Sequence, residues 1–160
     1  MTTEPELAIP HYECVTQATE QVISMTCGAQ ITSLSPEPAA DSGATIIALI
    51  SIVGDVDWAV FIGLPESAAT TVAEKFAGFE IPFDSPDMGD AIGELTNIFA
   101  GQVKALLDAK GVTADISLPS VMRAKGIQML VQKGGMCSRA CYESELGRFW
   151  TGVIAQKPSA

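Results

Sequence analysis

The stretch that most constrains this chain runs from Ser85 to Gly111, SPDMGDAIGELTNIFAGQVKALLDAKG. Serine before the first apolar repeat, proline in the first turn and Asp87 at the positive end of the helix dipole mark a helix start, with Ser85 as N-cap. Lys110 and Gly111 mark its end. About 24 residues at about 1.5 Å each make a rod of roughly 36 Å. With a step of about 100° per residue, Ile92, Leu95, Phe99, Val103 and Leu106 share the sector expected to face the core. Asp90, Glu94, Asn97, Gly101, Lys104 and Asp108 share the opposite sector.

That polar sector is poorly chosen for a face that only meets water. Asparagine is a weak helix former, and Asp90 and Glu94 are like-charged neighbours one turn apart. Gly93 and Gly101 stand where alanine would favour the helix by about 1 kcal/mol. Gly101 keeps the face low, as a surface that something must approach closely.

Around this helix the sequence reads as a single domain spanning residues 1–160, with residues 1–8 a flexible tail. A hydrophobic fraction of 48% supplies a substantial core. The net charge of −10 argues against nucleic acid or an anionic membrane as partner. The opening MTTEPELAIPHYE has no signal-like apolar core, and the longest apolar run, Ala44 to Val53, is too short to span a bilayer. Cytoplasmic placement is the expectation. Cys14, Cys27, Cys137 and Cys141 match no zinc or thioredoxin spacing and read as reduced thiols, a Cys137–Cys141 bridge being the alternative.

The remaining elements follow from periodicity and turn chemistry. A helix is expected from Pro10 to Cys27, with Val15, Ala18, Val22 and Met25 as its apolar stripe and Gly28 as its stop. Gln30 to Ser35 reads as a short strand and Pro36 to Gly43 as an exposed loop. Ala44 to Val53 and Trp58 to Leu64 read as a hairpin around Gly54-Asp55. Glu66 to Ala77 is a second helix, stopped by Gly78. Past the long helix, strands are expected at Thr113–Leu118, Ile127–Gln132, Met136–Glu143 and Arg148–Gln156. This order gives an α+β domain: a largely antiparallel sheet with helices packed on it. No internal repeat stands out by sequence identity.

Most chemistries lack their residues here. The only histidine is His11, at the start of the first helix, which leaves no triad or His-rich metal site. No phosphate loop or dinucleotide fingerprint is present. Trp58 and Trp150 lie in strand patterns and read as core or interface residues. What remains is Asp90, Glu94 and Asn97.

The spacing Asp90-x3-Glu94-x2-Asn97, with Pro119 after a further 21 residues, resembles the signature of the CheC/CheX/FliY phosphatases of bacterial chemotaxis. DAIGELTNIFAGQVKALL resembles the active-site helix of that family, and DISLPSVMRAKG its following strand and proline turn. The first helix offers Thr16-x3-Glu20-x2-Ile23 and the second Thr70-x3-Glu74-x2-Ala77, both without asparagine. One candidate site rather than two makes the chain resemble CheX most.

The resemblance implies dephosphorylation of the phospho-aspartate of a CheY-like response regulator. Glu94 would dock on the regulator's lysine, and Asn97 would orient the attacking water. Asp90, Gly101 and Pro119 would serve partner binding, with local hydrogen bonding as a second role for Asp90. The chain would carry no cofactor of its own, Mg²⁺ being expected on the partner receiver domain, and two chains would pair through sheet edges. An acyl phosphate is already activated, so an aligned water and neutralised charge suffice for its hydrolysis. The alternative within the same fold is a non-catalytic module that binds a response regulator or assembles like a flagellar-switch domain. A small-molecule enzyme has no nucleophile, base or cofactor motif in its favour.

Overall fold

The computed structural model describes residues 9–35, 43–128 and 130–156. The expected tail 1–8 and all of the expected loop but Gly43 lie outside them. Among the described residues three helices, α1 (Glu13–Cys27), α2 (Glu66–Ala77) and α3 (Pro86–Ala109), accompany seven strands. These are β1 (Ile31–Ser35), β2 (Ala44–Gly54), β3 (Asp57–Pro65), β4 (Ala114–Ile116), β5 (Ser120–Lys125), β6 (Met136–Ser144) and β7 (Gly147–Ala155). Every pairing is antiparallel, in the order β1-β6-β7-β3-β2-β4, with β5 sharing the β2 edge beside β4. The fold is the expected α+β arrangement.

Strand order exposes an internal two-fold repeat. One half is a helix, an edge strand and a hairpin: α1, β1 and β2–β3. The other is α3, β5 and β6–β7, and the halves meet where β3 pairs β7. Period-two alternation sends Ile46, Ala48, Ile50 and Ile52 of β2, Trp58, Val60, Ile62 and Leu64 of β3, and Phe149 and Val153 of β7 into one core under the helices. On the reverse face the half-buried Trp150 covers Gly63, where any Cβ would overlap the indole. Glycine at 63 is therefore a packing requirement. Thr19 and Thr151 hydroxyls meet at 2.8 Å, and Thr151 reaches the Tyr142 hydroxyl at 3.2 Å, which ties α1 to β6 and β7 through the core. Thr19 also donates to the Val15 carbonyl.

Several expectations need correction. Helix α1 begins at Glu13 rather than Pro10, because His11 sits at φ 67°, a left-handed conformation that interrupts helical continuity. Met25, expected in the apolar stripe, is 69% exposed, and Ile23 and Cys27 are buried in that turn instead. In α3, Leu107 is fully buried and Leu106 only packs at the core margin. Ser85 is the N-cap by position but makes no side-chain cap; its hydroxyl donates to the Pro82 carbonyl at 2.7 Å. The strand expected at Ile127–Gln132 is absent among the described residues, and β5 lies earlier. Register explains this: Lys125 already pairs with Ala44, the first residue of β2, so a continued strand would have no neighbour there. All four cysteines are free, with Cys137 exposed and the other three buried.

Candidate functional site

Helix α3 presents its motif because its apolar residues leave no other orientation. Ile92, Leu95, Phe99 and Val103 are buried to 1% exposure or less, together with Met88, Thr96 and Leu107. Asp90, Glu94 and Asn97 consequently point to solvent. None of their three side chains has a hydrogen bond or ion pair within the chain among the described residues. Lys104, two turns on, is engaged: its ammonium donates to the Ala114 carbonyl at 2.6 Å and lies 3.7 Å from Asp108. Arg123 is engaged as well, donating to the Phe83 carbonyl at 2.8 Å and lying over the Phe83 ring. It fixes the turn that feeds α3.

Two flanks define the surroundings of the exposed ridge. On one flank, a Cβ built on the buried Gly93 would stand 3.8 Å from Pro119 Cγ and 3.6 Å from Val121 Cγ2. Pro119 therefore lies against α3 at the level of the motif. Asn97, one turn beyond Gly93, occupies the same side of the helix. These contacts are ordinary van der Waals distances, so glycine at 93 permits close approach without sterics demanding it. On the other flank, α1 runs antiparallel to α3: Gln102 Nε2 donates to Gln21 Oε1 at 2.5 Å, and Lys110 pairs with Glu13. The ammonium holds the Glu13 carboxyl below its usual range.

The approach to Pro119 is shaped by an irregular edge. Ile116 pairs Ile52 and Ser120 pairs Leu49, which leaves Ser117, Leu118 and Pro119 opposite only Ile50 and Ser51. The Ser117 N–H donates to the Ser51 carbonyl, and its hydroxyl accepts from the Ser51 N–H, both at 2.9 Å. A bulge held in this way re-aims side chains at a sheet edge. Leu118 is thrown outward to 86% exposure. No local pattern signals the exposure of Leu118 or Met25, because an apolar residue in a strand or helix pattern reads as core. Gly101 stands half-exposed two turns beyond Glu94, with nothing within 4 Å of a Cβ placed on it.

The structure thus brings Asp90, Glu94 and Asn97 onto one ridge, sets Pro119 beside it and leaves Gly101 as a step in its far end. Asp90 makes none of the expected local hydrogen bonds among the described residues. A carboxylate and a carboxamide held on a rigid rod, without internal partners, can enter another molecule's pocket and align groups there. Among the described residues no three His, Cys, Asp or Glu side chains come together to hold a metal ion, and no helix is long and apolar enough to cross a membrane.

The family model described as chemotaxis phosphatase CheX matches residues 46–140, which include α3, Pro119 and β5. No curated protein sequence matches the chain. A CheC-like superfamily protein from Shewanella sp. PV-4 is 18% identical with a TM-score of 0.79, over 94% of this chain and 99% of that one. CheX from Desulfovibrio desulfuricans is 22% identical with a TM-score of 0.72, over 92% and 100%. CheX of Borrelia burgdorferi, solved as a complex with CheY, BeF3 and Mg²⁺, is 21% identical with a TM-score of 0.70, over 94% and 100%.

Proposed function

The chain belongs to the CheX family of chemotaxis phosphatases, and we propose that it hydrolyses the phospho-aspartate of a CheY-like receiver domain. The observation that carries this reading is the exposed pair Glu94 and Asn97 on α3, whose side chains have no partner among the described residues and which lie alongside Pro119. The receiver supplies the aspartyl phosphate and its bound Mg²⁺. Glu94 docks on the receiver's lysine and fixes the depth and rotation of α3 in the pocket. Asp90, one turn earlier, and the low surface at Gly101 complete the docking ridge.

Asn97 then holds water in line with the phosphorus. The carboxamide oxygen accepts a hydrogen bond from the water, leaving a lone pair of the water oxygen directed at phosphorus. The new P–O bond forms as the bond to the aspartyl oxygen breaks, the carboxylate leaves with the electron pair, and the water's proton passes to the phosphate. A carboxamide does not titrate in the working range, so its contribution is orientation. Two chains pair through sheet edges, where the outer sides of β1 and of β4–β5 have no partner strand within the described residues. Light scattering at micromolar concentration is expected to give twice the chain mass, and a monomeric mass would remove this part of the reading.

The test is the decay of a phosphorylated CheY-like receiver, alone and with wild type or Asn97→Ala. Acceleration by wild type that Asn97→Ala loses is the expected result. Receiver binding without acceleration by wild type would replace turnover with a docking role.

A further inference from the structure

Two large apolar side chains that the fold leaves in water, Leu118 at 86% and Met25 at 69% exposure, stand on opposite flanks of the Glu94–Asn97 ridge. Leu118 precedes Pro119, which lies against Gly93, and Asn97 follows Gly93 by one turn on that side. Met25 follows Gln21 by one turn on α1, and Ile98 precedes Gln102 by one turn on α3. Since Gln21 and Gln102 are hydrogen-bonded across antiparallel helices, Met25 falls opposite Ile98, which itself follows Glu94 by one turn. Ser117, the residue before Leu118, is held to Ser51 by two hydrogen bonds, and its hydroxyl also lies 3.1 Å from the Leu118 carbonyl, so the exposure of Leu118 is a property of the bulge and not of a loose tip.

We propose that Leu118 and Met25 are apolar anchors that hold the receiver domain across the ridge, strengthening the complex whose depth Glu94 sets. This deepens the phosphatase reading and rests on it. The occupant is the receiver because the anchors straddle the two side chains that must reach its phosphate; a surface covering both flanks belongs to the molecule that takes the ridge. Energetically the anchors suit a site whose polar groups orient more than they bind. A half-buried aliphatic contact strengthens the complex without specifying position, while the carboxylate and carboxamide specify position.

The experiment measures binding of a CheY-like receiver loaded with BeF3 and Mg²⁺, together with KM and kcat on the phosphorylated receiver, for wild type, Leu118→Ser, Met25→Ser and Asn97→Ala. Each serine variant is expected to raise Kd and KM by about tenfold, with kcat at saturation within about twofold of wild type. Leu118→Met is expected to recover most of the loss. Asn97→Ala is expected to do the opposite, lowering kcat with little change in Kd. Both serine positions are exposed, and thermal melting checks that the variants are folded. Wild-type turnover with unchanged Kd and KM in both serine variants would overturn the anchors and leave the phosphatase reading intact. Loss of self-association with unchanged receiver affinity would assign the patch to a second copy and overturn the proposal. No receiver binding by wild type would overturn both readings.

Discussion

The two halves of the molecule share an architecture and differ in what their helices show to solvent. Buried Cys14, Val15, Ala18, Thr19, Val22 and Ile23 of α1 correspond in order and spacing to Ala91, Ile92, Leu95, Thr96, Phe99 and Ala100 of α3. Both buried threonines return their hydroxyls to the carbonyl one turn back, Thr19 to Val15 and Thr96 to Ile92. In that register the exposed Asp90, Glu94 and Asn97 correspond to Glu13, Gln17 and Glu20. The α1 face carries a carboxamide and an acid in exchanged places, and its first acid is tied to Lys110. The same inward pattern therefore stands on two helices, while the outward patterns differ in residue type and in the tie of the first acid to Lys110. Fold and the proposed function are written on opposite faces of the same element.

Substitutions at paired positions test that asymmetry. The largest effect is expected at Asn97→Ala, with receiver-phosphate hydrolysis falling by about a hundredfold. Glu20→Ala at the corresponding place on α1 should stay within about twofold of wild type, and equal losses at the two would mean that both helices contribute. Glu94→Gln should follow, weakening receiver affinity by about tenfold through loss of the charge proposed to meet the receiver's lysine. Gln17→Ala, its counterpart, should leave affinity unchanged in the same titration.

A third pair addresses stability rather than turnover. Thr19→Val removes a hydroxyl that bonds both its own helix and Thr151, and should cost about 1 kcal/mol in urea unfolding. Thr96→Val removes a hydroxyl bonded, among the described residues, only to the Ile92 carbonyl, which keeps its backbone partner, and should cost less than half of that. Equal costs would mean that the hydroxyl chain to Tyr142 adds nothing beyond the local bond.

Much of this was legible in the sequence, for reasons that also explain what was not. Helix α3 was readable end to end because its period is long and its ends carry Pro86 and Gly111. Helix α2 and the β2–β3 hairpin were readable because local signals bound them: Gly78, then Gly54-Asp55. Strand β5 was misplaced because its position is fixed by register on β2, a long-range fact that no local pattern carries. The two-fold repeat stayed hidden because it conserves burial and order rather than residue identity. Met25 and Leu118 were invisible because apolarity signals burial in general and surface only where packing runs out. The ridge itself was visible as polar residues badly suited to a solvated helix, and the structure places Pro119 against it.

Gly101 gives the smallest effect and the sharpest separation of stability from function. Nothing lies within 4 Å of a Cβ placed there, so alanine fits without displacement and should raise unfolding stability by up to about 1 kcal/mol through helix propensity. Its α1 counterpart by the buried register is the exposed Ser24, where alanine should gain only a few tenths, by about half a kcal/mol at most. If the glycine serves only the isolated fold, this more stable variant should bind the BeF3-loaded receiver as wild type does. If it leaves room for a seated partner, the added methyl should weaken binding by a few-fold (about 0.5–1 kcal/mol) while the melting temperature rises. The second outcome is expected, because a helix interior gains nothing for its own stability by placing glycine on an uncrowded outward face. A rise in stability with unchanged affinity would remove Gly101 from the docking surface and confine that surface to Asp90, Glu94, Asn97 and the flanks around them.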